Sequence, residues 1–217
     1  MLLAQPDILT RITTRLPLVL FTMNREETDG AYFEAAKRAN DPVQYGAPER
    51  REVLGRQRHW LLESGLRRAG EAGGLTIAAK DTNPVGGRYT LLISDHFVIG
   101  RAKPDRYRGN IRPVRYRKQL AAMNAAVSQF QGDLFGLSAP VVAGPRLYGL
   151  FLSAAHPKDL DTPAFLNFAI PDSSLSRWIF NEPVETVIAA YNAVERPAEI
   201  IPDLAVVALK QKPNDVS

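Results

Sequence analysis

Three histidines, two closely spaced aspartates and one arginine-rich stretch are the residues of this chain whose types could support chemistry. His59, His96 and His156 lie far apart and form no H-E-x-x-H or paired-histidine spacing, so no helix-borne metal site is expected. Asp159 and Asp161 have the spacing that opens a calcium loop. Pro163 and Ala164 then stand where a ligand and the turn glycine are needed, which favours a solvated loop. Gly144 and Gly149 have Walker spacing, but Leu150 and Phe151 replace the lysine and hydroxyl that would hold phosphate and Mg²⁺. Gly136-Leu137-Ser138-Ala139-Pro140 lacks the second glycine of a nucleophile elbow. No metal and no cofactor are expected.

Two phosphodiesterase readings remain. The order helix, three strands, helix, strand between Pro48 and Ala154 is compatible with the restriction-endonuclease-like core, which holds Mg²⁺ with an Asp and an acid-x-Lys pair on adjacent strands. The residues two positions before each lysine are Ala35, Ala78, Arg101, Tyr116, His156, Ala208 and Lys210. None is acidic, so element order alone is left, and that says little about function. A metal-free enzyme needs a base, an acid and a cation for the transition state. His96 beside Asp95, with Arg88 on the preceding strand and Arg101 beyond, is the weak catalytic candidate. A turn-flanking histidine is the simpler account of His96.

The basic stretch runs from Arg101 to Lys118. It holds Arg101, Lys103, Arg106, Arg108, Arg112, Arg115, Arg117 and Lys118 against one acid, Asp105. Its charge of +7 exceeds the net +4 of the whole chain, so the remainder is slightly acidic. Six of the eight cations are arginines, whose planar fork suits bidentate phosphate contacts. Tyr107 and Tyr116 are interleaved and could stack on bases. Arg115, Arg117 and Lys118 fall in the first turns of a helix, where the macrodipole disfavours cations by about 0.3–1 kcal/mol each. An anionic partner would relieve that cost. So would the C-terminal acids Asp159, Asp161, Asp172, Glu182, Glu185, Glu195 and Glu199. A solvated or internally paired charge run is the competing explanation.

The frame for these residues is read from periodicity. With 217 residues, 45% hydrophobic and 23% charged, the chain is expected to fold as one domain, 1–72 mainly helical, 73–212 sheet-containing and 213–217 a tail. The absence of cysteine excludes disulfides and thiolate chemistry and fits a reducing compartment. The apolar run Leu16–Met23 is too short to span a bilayer and lacks a signal-peptide context, so it is expected to be a buried strand. Helices are expected over Pro6–Leu16, Glu26–Ala39 and from Pro48 to the glycines Gly70, Gly73 and Gly74. Strands follow over Leu75–Lys80, Arg88–Ser94 and His96–Arg101 as an antiparallel meander.

Pro113 opens a helix with Leu120, Met123, Val127, Phe130 and Leu134 on one face. Strands over Arg146–Ala154 and Ala164–Ile170 precede a helix capped by Asn181, and Leu204–Leu209 is a last strand. The expected class is α+β: N-terminal helices followed by a mixed or antiparallel sheet of about five strands with two further helices. The expected function is a cytoplasmic binding or regulatory protein whose basic strand-to-helix loop contacts nucleic acid or another polyanion, with no membrane partner. The alternatives are the His96 enzyme and a protein-interaction module. In the last, the basic loop takes an acidic protein, or the acidic loop around Asp159 is the contact.

Overall fold

A computed structural model describes residues 4–40, 46–81, 88–104, 109, 111–125, 146–156 and 158–195. Three helices come first: α1 Ala4–Arg15, α2 Leu18–Ala39 and α3 Ala47–Ala72. The strands β1 Thr76–Asp81, β2 Arg88–Ile93 and β3 Phe97–Ala102 lead to helix α4 Arg115–Ala121, prolonged by a 3-10 turn to Asn124. Then come β4 Leu147–Ala155, β5 Pro163–Pro171, β6 Trp178–Pro183 and helix α5 Val184–Glu195. The six strands form one sheet in chain order, antiparallel at every neighbour except the parallel pair β3–β4. This is an α+β fold with a mixed sheet.

Strand alternation sorts side chains to two faces. Phe97 and Ile99 of β3, Leu147 and Phe151 of β4, and Phe168 of β5 pack with α1, α2, α3 and α5. The Phe21 ring of α2 sits edge-on to Phe151 at 5.8 Å and to Phe168 at 5.3 Å. Val98, Tyr148, Leu150 and Leu152 point the other way and pack with Ile111, Ala121 and Leu175. Gly65 of α3, a helix-weakening residue by sequence, lies where α2 crosses. A Cβ there would stand 2.8 Å from the Glu27 Cβ.

Two expectations need correction. Leu18–Met23 is not a strand but the start of α2, with Pro17 at its N-cap. The buried positions of α2 are Leu20, Phe21, Asn24, Thr28, Ala31, Tyr32, Ala35, Ala36 and Ala39, a helical stripe interrupted by polar residues. Asn24 and Thr28 hide that period from a hydrophobicity count. Asn181 does not cap a helix. It lies in β6, opposite Ala169, and its side-chain oxygen accepts from Asn167 Nδ2 at 2.9 Å. The helix begins after Pro183, and the described residues hold six strands, close to the five or so expected. Val127, Phe130, Leu134, the Leu204–Leu209 segment and the tail from 213 lie outside the described residues.

Asn124 locks α4 to the sheet. In the β4–β5 register, Tyr148 would face Pro171, which has no N–H to give. The fully buried Asn124 amide fills the gap. Its Nδ2 donates to the carbonyls of Tyr148 at 3.0 Å and Pro171 at 2.7 Å, and its Oδ1 accepts the Tyr148 N–H at 2.8 Å. Asn124→Ala leaves three buried backbone groups without a partner and is expected to cost about 3 kcal/mol or more. Asn124→Asp keeps only the acceptor and should cost a similar amount at neutral pH. Urea denaturation of both variants checks this.

Candidate functional site

The strands β2 and β3 stay in register only at Leu92–Ile99 and Ile93–Val98. Continued, that register would set Thr90 opposite Arg101, but a carboxylate from α3 occupies the opening. Glu63 Oε2 accepts the Thr90 N–H at 2.7 Å, and Oε1 accepts from Arg101 Nη1 at 3.1 Å. The same Nη1 donates to His59 Nδ1 at 3.1 Å. A guanidinium can only donate, so Nδ1 is the acceptor and the neutral ring carries its proton on Nε2. Burial, and then the Arg101 charge, hold the imidazole below its ordinary value. Glu63 and a backbone hydrogen bond to Arg88 oppose them.

His59 and Glu63 escaped the sequence reading. Their spacing of four places both on one face of α3, and that was the available signal. Each carboxylate oxygen and each ring nitrogen of the pair is engaged, so neither offers a free base. The cluster is a joint that holds α3 against the open end of the β2–β3 hairpin. Thr90 Oγ1, buried beside it, has no hydrogen-bond partner. Among the described residues, no group of three or more His, Asp or Glu side chains converges to hold a metal.

His96 lies at the other end of this hairpin, in the turn between β2 and β3. Its N–H donates to Ser94 Oγ at 3.3 Å and its carbonyl accepts from Leu147 N at 2.9 Å. Arg101 is five positions further on, roughly 16 Å along the strand. Arg88 is likewise at the far end of β2, paired with Asp81 at 3.0 Å on the exposed rim. The structure therefore brings Arg101 and the backbone of Arg88 to His59, and not to His96.

The basic stretch divides into three groups. Arg101 faces α3, with its side chain only 15% exposed. Tyr116 lies flat on Tyr89, with ring centroids 4.0 Å apart, and the Arg117 guanidinium stands 5.4 Å from the Tyr116 centroid. Arg117 also bonds the Arg112 carbonyl at 3.2 Å. Burial pushes the hydroxyls of Tyr116 and Tyr148 above their usual range, against the pull of Arg117. Tyr116 and Arg117 thus dock α4 on the sheet, and the Tyr116 ring spends one face on Tyr89.

Lys103, Arg112, Arg115 and Lys118 are exposed. The ends of their loop are fastened by a bridge between Pro104 and Ile111 and by Trp178 Nε1 donating to the Gly109 carbonyl at 3.3 Å. Gly109 has φ +64°, a conformation that suits glycine. Arg106, Tyr107 and Arg108 lie outside the described residues.

The acids do not converge on this surface. Asp172 accepts from Ser174, Ser176 and the backbone N–H groups of Ser176 and Arg177. Asp159 and Asp161 lie beside each other, and their contact holds the Asp159 carboxyl below its ordinary range and raises that of Asp161. Among the described residues, no ion pair joins the basic stretch to Asp159, Asp161, Asp172, Glu182 or Glu185. The Glu195 side chain and Glu199 lie outside the described residues. No helix of the described residues is long and apolar enough to cross a membrane. No family model, curated protein or solved structure matches this chain.

The folded state holds His59 below its unfolded value, so between those two values the unfolded chain binds the extra proton. Stability is expected to be full above about pH 6.5 and to fall as pH drops through the folded-state value. His59→Gln should flatten that slope in denaturation midpoints measured from pH 7.5 to 5. Glu63→Gln strands a buried guanidinium and should cost about 3–5 kcal/mol, read from urea denaturation at pH 7.5.

Proposed function

We propose that this protein is a cytoplasmic nucleic-acid-binding or regulatory protein whose contact surface is built from Lys103, Arg112, Arg115 and Lys118. The observation that supports this reading is that four exposed cations are gathered on one fastened strand-to-helix segment, and no ion pair among the described residues includes them. Like charges held together without internal neutralisation favour an anionic partner. Arg106, Tyr107 and Arg108 lie between them in sequence and add two cations and an aromatic ring to the same segment. The arginines fit phosphate oxygens, which favours nucleic acid over a carboxylate polymer. Arg101, Tyr116 and Arg117 contribute from beneath, by holding the segment and α4 in place.

Replacing Arg112, Arg115 and Lys118 together by Ala should weaken binding of duplex DNA, single-stranded DNA or RNA by about tenfold or more at 0.1 M salt. The slope of log affinity against log salt should become shallower by roughly 2–3 for a duplex. Because these side chains are exposed, the denaturation midpoint should stay near wild type. His96→Ala should leave binding unchanged. Fluorescence anisotropy across a salt series measures all of this. Equal affinity of wild type and triple variant for every nucleic acid and for heparin would overturn the proposal.

A further inference from the structure

We infer that a groove between α2 and the start of β5 docks a basic peptide segment of a partner protein. The groove has a volume of about 700 Å³ and is open to solvent. It shares no residue with the basic stretch.

Three features of its lining carry the inference. Phe33 and Phe165 both line it and are 58% and 37% exposed, among the few large hydrophobic side chains left uncovered in the described residues. Around them stand three carboxylates from separate parts of the chain, Asp29 of α2, Asp161 of the β4–β5 connection and Glu185 of α5, against one cation, Arg25. No ion pair among the described residues uses any of the three. Burial, with Glu185 adding to it, raises the Asp29 carboxyl above its ordinary range in spite of Arg25. The groove therefore carries an excess of negative charge beside aromatic surface. An Arg or Lys side chain answers both, its stem and cation over a ring and its N–H groups on the carboxylates.

Gly30 is the third feature. It lines the groove in the interior of α2, where glycine costs about 1 kcal/mol relative to alanine. A Cβ at Gly30 would meet nothing within 4 Å, so no internal packing calls for the missing side chain. A guest backbone approaching α2 between Asp29 and Phe33 would call for it. An open groove of this kind suits an extended peptide. A second copy of this chain, inserting its basic stretch, would make a head-to-tail contact, which builds a ring or a filament, and it is distinguished by its oligomeric state.

The experiment uses the full-length protein and a labelled peptide of about eight residues, alternating Arg and Gly, with a Glu–Gly peptide as control. Anisotropy at about 50 mM salt should show saturable binding of the first peptide only. The Asp29→Asn/Glu185→Gln double variant should lose about tenfold in affinity, and Phe33→Ala about threefold to fivefold. Gly30→Ala should raise the thermal midpoint through helix propensity and yet weaken the peptide. All of these variants should keep wild-type nucleic-acid affinity, so the groove and the basic surface stand or fall separately. No binding of the Arg peptide, or equal binding by wild type and the double variant, overturns the inference. A salt-sensitive oligomer in sedimentation, abolished by the same double variant, assigns the groove to a second copy and overturns it too.

Discussion

A proline that cannot donate determines much of how this molecule is put together. Pro171 ends β5 facing Tyr148, and a proline there leaves the Tyr148 carbonyl on β4 without its usual donor. The Asn124 side chain supplies both halves of a peptide group in that place. The consequence reaches well beyond three hydrogen bonds. Asn124 ends the short helical segment that carries Arg115 and Lys118, so the sheet's own defect fixes where those cations sit. A seven-residue helix has little stability of its own in water. It keeps its place through Asn124, through Ala121 in the core and through the stack of Tyr116 on Tyr89.

The opposite face of the sheet has a second repair of the same kind. Where β2 and β3 part, Glu63 takes the Thr90 N–H, and Arg101 neutralises it. A buried ion pair offers little net stability against an apolar replacement, but breaking it is expensive. The joint thus holds one arrangement of α3 against the hairpin more than it adds free energy. His59 caps the arrangement, with both ring nitrogens spent.

The class of the fold, the meander and the existence of β4 and β5 were legible from periodicity, because alternating strands and short turns are local signals. What escaped depended on partners far along the chain. Asn24 and Thr28 are buried polar residues in the stripe of α2, and only the packed structure tells them from surface positions. Asn181 has the chemistry of a helix cap, but pairing with β5 claims it for a strand. At the basic stretch, composition identified the charge but not its sorting. Arg101 and Arg117 look like Arg112 and Arg115 in sequence, and only the third dimension turns two inward and leaves two exposed. The i, i+4 pair of His59 and Glu63 was readable, but its meaning required Arg101 on a strand 38 residues beyond Glu63.

The parallel seam between β3 and β4 has a kinetic side. Each antiparallel neighbour is joined by a short connection, so β1–β3 and β4–β6 are two local meanders. The seam alone must close over the stretch from Lys103 to Arg146. Closing a loop of that length costs roughly 3 kcal/mol of chain entropy before any contact offsets it. Contacts distant in sequence form slowly, so the expected order is two half-sheets first and their union last. Asn124 reaches across to β4 from the end of the first half, and its bonds belong to that final step. The cationic surface would then be complete only when the whole chain is folded.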